Sequence, residues 1–164
     1  MPADWETVLN EHAQVVAALR AQGATLAAAA DAQHIAAGLL GRFRRKRRAL
    51  PVMALTTDTS ALTAISNDLG YERVFTRQLE GLLNSGDVVW ILSTSGNSPN
   101  VIAAARLAAE RGALTIAFTG TPGGRLAEAG THVFRVPHAS SERIQEGHQL
   151  AYHYICDRVE AAFA

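Results

Sequence analysis

The chain has 164 residues, 48% of them apolar and 18% charged, with a mean hydropathy of +0.05; this suits one globular domain with a real core and excludes disordered or collagen-like chains. Fifteen Lys and Arg balance fifteen Asp and Glu, so no bulk positive field exists to capture nucleic acid or an anionic membrane. A single cysteine, Cys156, excludes an internal disulfide and a CxxC metal knuckle, and no uncharged apolar run approaches the roughly 18 residues of a membrane span.

Residues 1–11 are acidic and lack the charged-then-apolar order of a secretion signal. The expectation is a cytoplasmic protein with one domain over residues 1–164. Residues 4–20 carry Trp5, Val8, Leu9, His12, Val15, Val16 and Leu19 at spacings of three and four, which predicts an amphipathic helix. Its stripe needs a partner surface, so residues 1–25 read as a helical arm for self-association. Gly23 interrupts, and the alanine-rich stretch 26–43 predicts a second helix. Six of the seven residues 42–48 are basic. With no aromatic platform beside them, they read as a solvated segment at a helix C-terminus, where cations suit the dipole.

Residues 52–55 read as a buried strand, and residues 70–83 (Tyr71, Val74, Phe75, Gln78, Leu79, Leu82) as a helix stopped before Gly86. Residues 87–92 (DVVWIL) are the strongest strand, apolar on both faces, which places them in a parallel sheet covered by helices. A turn over 93–100, a helix over 101–111 closed by Gly112 and a strand over 114–118 complete a strand–helix–strand unit with a right-handed crossover. A short helix over 125–129, a last strand over 133–136 ended by Pro137, and a long helix over 141–162 follow. In that last helix Ile144, Leu150, Tyr154, Ile155 and Val159 are expected to face inward. The fold class is α/β, a three-layer α/β/α sandwich with at least four parallel strands.

Ligands of an open parallel sheet sit at the carboxyl ends of its strands. There the chain reads Ser93-Thr94-Ser95-Gly96-Asn97-Ser98-Pro99-Asn100. Ser98 suits an N-cap and Pro99 the first helical position. Hydroxyls and backbone N–H groups thus converge at a helix N-terminus, which is an anion site, with phosphate the obvious anion. There is no Gly-Lys-Ser/Thr and no GxGxxG, so a small phosphomonoester fits better than a nucleoside triphosphate or a dinucleotide. Asn67-Asp68 reads as lying in the turn after Thr63 to Ser66, either as a hydroxyl-binding pair or as a cap for the helix from Tyr71. His34 lies on the second helix. Gln145 and His153, eight residues apart, share a face of the last one, whereas His148 and Glu146 point elsewhere. The spacing alone does not define a metal site.

Taken together, the stretches Ala30-Asp31-Ala32-Gln33-His34, Ala54-Leu55-Thr56-Thr57-Asp58, Asn67-Asp68-Leu69-Gly70-Tyr71, the 93–100 loop and Arg143-Ile144-Gln145-Glu146-Gly147-His148 resemble the sugar isomerase (SIS) domain family. The branch is that of the phosphoheptose isomerases, and the resemblance runs from about residue 28 to the end. It implies a flavodoxin-like sheet, a homotetramer with sites between subunits, and interconversion of sedoheptulose 7-phosphate with an aldoheptose 7-phosphate for heptose and lipopolysaccharide synthesis. By this resemblance Ser93, Thr94, Ser95 and Ser98 match phosphate-binding positions, and Asn67 and Asp68 match substrate-binding positions. His34, Gln145 and His153 match metal-binding positions, usually filled by zinc; Gln145 also matches a substrate-binding position and His153 a catalytic one.

Two departures stand out. A strand and a Gly-Asn-Gly-Gly-Ser turn normally precede the Ala-Asp-Ala-Gln-His stretch, and here residues 26–30 stand in their place. The family's glutamate, a metal ligand and acid/base group, falls at Gly38. Aldose–ketose isomerisation through an enediolate needs a base near carbon and a stabilised oxyanion. Two histidines and a neutral carboxamide make a weak zinc set, so impaired catalysis and weakened metal binding are expected. The alternatives are a non-catalytic sugar-phosphate-binding SIS module and a regulator of the type that binds the bacterial replication initiator. Against the latter, Ser95 and His153 resemble residues of the isomerase branch.

Overall fold

The strand Val88–Ser93 is buried along its whole length, and the rest of the domain is arranged to cover it. The computed structural model describes residues 15–17 and 26–164. In chain order the elements are β1 (Val15–Ala17), α1 (Leu26–Leu40), β2 (Val52–Ala54), α2 (Thr59–Leu69), a 3₁₀ turn (Tyr71–Arg73), α3 (Thr76–Leu82), β3 (Val88–Ser93), α4 (Pro99–Glu110), β4 (Leu114–Gly120), α5 (Leu126–Ala129), β5 (His132–Val136) and α6 (Ser141–Ala162).

The five strands form one parallel sheet in the order β2-β1-β3-β4-β5. Successive side chains of a strand point to opposite faces. Val89 and Ile91 therefore join Ala117 beneath Leu79, Phe75 and Val101, under α3 and α4. Val88, Trp90 and Leu92 join Ile116 and Phe118 beneath Ile35, Leu39, Tyr152 and Ile155, under α1 and α6. Each fully buried aliphatic side chain in these layers contributes about 1.5–3 kcal/mol relative to exposure.

The predicted sandwich and its four strands are all present. A fifth strand is not where the sequence pattern put one. Val15–Ala17 pairs with Val52–Ala54 on one side and with Val88, Val89 and Trp90 on the other. These three residues are thus strand rather than part of the helix expected over 4–20; the rest of that helix, and the proposed association arm, lie outside the described residues. The same strand corrects the apparent loss of a strand before residue 30. Two of its three residues are β-branched valines, which favour strand, and the strand is paired on both edges.

Two helices also differ. The helix expected over 70–83 is broken into the 3₁₀ turn and α3. In α6, Leu150 is 76% and Tyr154 55% exposed, not inward. The buried stripe instead runs through Ile144, His148, Tyr152, Ile155, Cys156 and Val159, a spacing of three and four set by two polar-tipped residues that the apolar count passed over. Leu150 and Tyr154 border a cavity of about 530 Å³ against Phe134 and Val136 of β5.

His148 is 2% exposed, rests near Phe118, and its Nε2 lies 3.2 Å from the Thr119 carbonyl. Burial lowers its pKa from 6.5 to about 4, a shift that the Thr119 hydrogen bond opposes. Between those values the unfolded chain binds a proton that the folded chain refuses. Stability is therefore present above about pH 6.5 and is lost as pH falls toward 4, by about 3 kcal/mol for this group. Urea unfolding at pH 7 and pH 4.5 should show that loss, and His148→Gln should shrink it; an unchanged difference in the variant would remove His148 as its source.

Candidate active site

β3 ends at Ser93, and α4 begins at Pro99 with Ser98 as its N-cap in extended geometry (φ −70°, ψ 127°). Ser98 caps by position but makes no side-chain cap hydrogen bond. The sheet order puts β1 beside β3 while the chain leaves those two strands in opposite directions, which makes their carboxyl ends the switch point of the sheet. Ser93 and Ser98 are buried, Thr94 half-buried, and Ser95 and Asn97 exposed. Within the loop the Gly96 N–H donates to both the carbonyl and the hydroxyl oxygen of Ser93, at 3.2 Å each, and the Asn97 N–H donates to Ser95 Oγ at 3.2 Å. The four hydroxyl residues 93, 94, 95 and 98 thus share one turn at a helix N-terminus, as the sequence predicts.

A second loop, at the end of β4, holds the first in place. Gly96 has φ +63°, and a Cβ there would lie 2.0 Å from the Gly123 carbonyl oxygen; a Cβ on Gly124 (φ +58°) would meet Gly96 and Ser95 backbone at 2.6 Å. Across this contact the Leu126 N–H donates to Gly96 O at 2.9 Å, the Arg125 N–H to Asn97 Oδ1 at 3.1 Å and the Gly120 N–H to Thr94 O at 2.9 Å. Sequence reading missed Gly120, Gly123 and Gly124 as parts of the site. Their signal was present in Gly-Thr-Pro-Gly-Gly at the end of a strand adjacent to β3.

Asn67 and Asp68 lie in the last turn of α2, not in a turn after it, and Asn67 Nδ2 donates to Asp68 Oδ1 at 2.9 Å. They do not cap the following 3₁₀ turn, whose N-cap is Gly70. With Thr59, Ser60 and Thr63 they line an open polar groove of about 540 Å³.

His34 of α1 and His153 of α6 meet with ring centroids 4.9 Å apart. His34 is exposed and His153 half-buried. Beneath them Tyr152 Oη donates to Asp31 Oδ1 at 3.0 Å. Burial raises the Asp31 pKa, and the Tyr152 hydroxyl and the two imidazoles only partly offset it. Burial lowers the His153 pKa and the neighbouring His34 lowers it further, against an upward pull from Asp31, so the balance favours the neutral imidazole. Gly38 is buried one turn beyond His34, with Phe43 over it: a Cβ at 38 would sit 3.5 Å from Phe43 Cδ2. The Phe43 ring is also 5.7 Å from that of His153.

Zinc fits these residues poorly. Among the described residues no three His, Cys, Asp or Glu side chains gather as a metal group. Gln145 lies eight residues before His153 on α6, about 12 Å along the axis, and it offers a neutral oxygen where an anionic donor is wanted.

The family relationship follows from this frame. The SIS domain family matches residues 14–120, and the chain belongs to that family. A phosphoheptose isomerase of Aquifex aeolicus is 54% identical over 132 residues, 80% of this chain and 69% of the relative, and one from Geobacter sulfurreducens is 54% identical over 80% and 70%. The solved phosphoheptose isomerase of Neisseria gonorrhoeae superposes with a TM-score of 0.82 at 41% identity over 96% of this chain and 80% of that one. The enzyme of Francisella tularensis gives 0.83 at 31% identity over 96% and 81%. Within the family the chain therefore falls in the sugar-phosphate isomerase branch, beside the phosphoheptose isomerases, and the binding-only alternative is not favoured.

Gly96→Ala forces a left-handed φ on alanine and drives its Cβ into the Gly123 carbonyl. The expected loss is about 3 kcal/mol or more, read as a urea midpoint shift. Gly112→Ala (φ +73°), whose Cβ would meet only Ser85 Oγ at 3.2 Å, should cost less.

Proposed function

We propose that this chain interconverts a phosphorylated seven-carbon ketose and its aldose, gripping the phosphate with Ser93, Thr94, Ser95 and Ser98 and moving the proton with His153. The observation that carries the reading is the hydroxyl-rich turn at the switch point, backed by the Gly96–Gly123 contact and aimed along the axis of α4. Backbone dipoles and hydroxyl donors there suit a dianionic tail without a lysine or arginine in the loop.

His153 takes the proton from the carbon beside the carbonyl and returns it to the neighbouring carbon of the enediolate. His34, in ring contact with it, is assigned the hydroxyl proton, which leaves one oxygen and is returned to the other as the enediolate forms and collapses. Asn67, Asp68 and Gln145 are assigned to the sugar hydroxyls. No carboxylate stands at residue 38 to share the work, and loss of one positioned acid/base group typically costs about 10²–10⁴ in rate. Zinc, if taken up through His34, Gln145 and His153, is held weakly, and no step above depends on it. A homotetramer in the cytoplasm, acting in heptose synthesis, is the setting this reading implies. No helix among the described residues is long and apolar enough to cross a membrane.

Sedoheptulose 7-phosphate turnover, assayed with and without added zinc, is the direct test. Turnover is expected, slow, and lost in His153→Gln; the absence of turnover under both conditions overturns the proposal. The same ligand should raise the melting temperature of wild type but not of Ser95→Ala, and equal responses would remove the phosphate from this loop. Gly38→Glu, whose Cβ would make only an ordinary contact with Phe43 at 3.5 Å, should raise zinc content.

A further inference from the structure

In the basic run at 42–48, Arg42, Arg44, Arg45, Lys46 and Arg48 are exposed as their composition predicts, and Arg47 alone departs from the solvated reading. Arg47 and Glu160 of α6 both have fully buried side chains, with Arg47 Nη2 3.4 Å from Glu160 Oε1. Glu160 also accepts three consecutive backbone N–H groups, from Phe43 at 2.9 Å, Arg44 at 2.5 Å and Arg45 at 2.7 Å. One carboxylate thus organises the loop around itself as an anion in a nest of amides. Arg47 completes the closure by donating to the Gly38 carbonyl at 2.8 Å and the Gly41 carbonyl at 3.0 Å, which satisfies orphan acceptors at the end of α1. Arg45 and Arg44 pair with Asp157 outside this core.

A buried ion pair is weak evidence for stability, because desolvation consumes much of its attraction. Its cost here coincides with a specific placement. The first residue of the nest is Phe43, whose ring lies over Gly38 and against His153. We propose that Glu160 is a positioning residue for the active site: by holding the amides of residues 43–45 it presses Phe43 into the space above Gly38 and fixes the ring of His153. Arg47 is its counter-ion and ties the same loop to the carbonyl of Gly38. The proposal deepens the functional reading above and rests on His153 as the proton-transferring group.

Two readouts separate the two claims. The first needs no turnover. In the full chain, nuclear Overhauser contacts between the Phe43 and His153 rings are expected in wild type and should vanish in Glu160→Gln. The amides of 43–45 should then exchange with solvent about tenfold faster or more. Persistence of the ring contacts in the variant overturns the proposal whatever the enzyme does. The second is kinetic. Glu160→Gln should lower kcat about tenfold while KM, set largely by the phosphate loop, changes less than about threefold. Phe43→Ala should do the same, and the double variant should be no slower than Phe43→Ala alone, because one residue acts through the other. Additive losses would mean that Glu160 serves the fold without serving His153. Should Glu160→Gln fail to fold with Arg47 left uncompensated, Glu160→Gln combined with Arg47→Met, which removes both buried charges, carries the same measurements.

Discussion

The constraint on which the molecule depends is the complete burial of β3. Six consecutive residues without solvent on either face require hydrogen-bonding neighbours on both edges and helices above and below. Val88, Trp90 and Leu92 face one helical layer, Val89 and Ile91 the other. A strand of this kind can meet water only at its end. Ser93, the first residue to present a hydroxyl there, opens the loop at the switch point of the sheet, the place proposed above for the phosphate. The Gly96–Gly123 approach then holds that loop at backbone contact distance, so the geometry of the hydroxyls is set by main chain rather than by side-chain rotamers.

Much of this frame is legible in the chain. DVVWIL announces a strand buried on both faces, and Ser-Pro after a Ser/Thr turn announces the start of α4. What the pattern does not disclose has physical causes. Val15–Ala17 is too short to show alternation, and its flanks carry apolar residues at helical spacing, so a helix reading wins until the sheet supplies both neighbours. In α6 the inward stripe uses His148 and Tyr152, whose polar tips are satisfied by the Thr119 carbonyl and Asp31; an apolar count selects Leu150 and Tyr154 instead. Asn67 and Asp68 read as turn residues by composition, yet α2 continues through them to Gly70.

The site shows the same division. The four hydroxyl positions are adjacent in sequence and so could be read directly. Contact of His34 with His153 joins helices 119 residues apart, and only the packing of α1 on α6 brings it about. The functional weight of residues 42–48 was hidden for a different reason. A run of arginines looks alike whether it faces water or wraps a buried carboxylate, and Glu160 lies more than a hundred residues away. Gly38 is the reverse case: the departure from the family is plain in the sequence, while its structural meaning, an aromatic ring lying over the vacated position, is not.

Cys156 is the chain's sole thiol. It is 2% exposed on the α6 stripe beneath α1, and burial pushes its pKa up to about 12. A sulfur so placed is a poor nucleophile while the two helices stay together. Its rate of alkylation therefore becomes a clock for their separation, timing how often the layer that carries both imidazoles comes apart from its sheet.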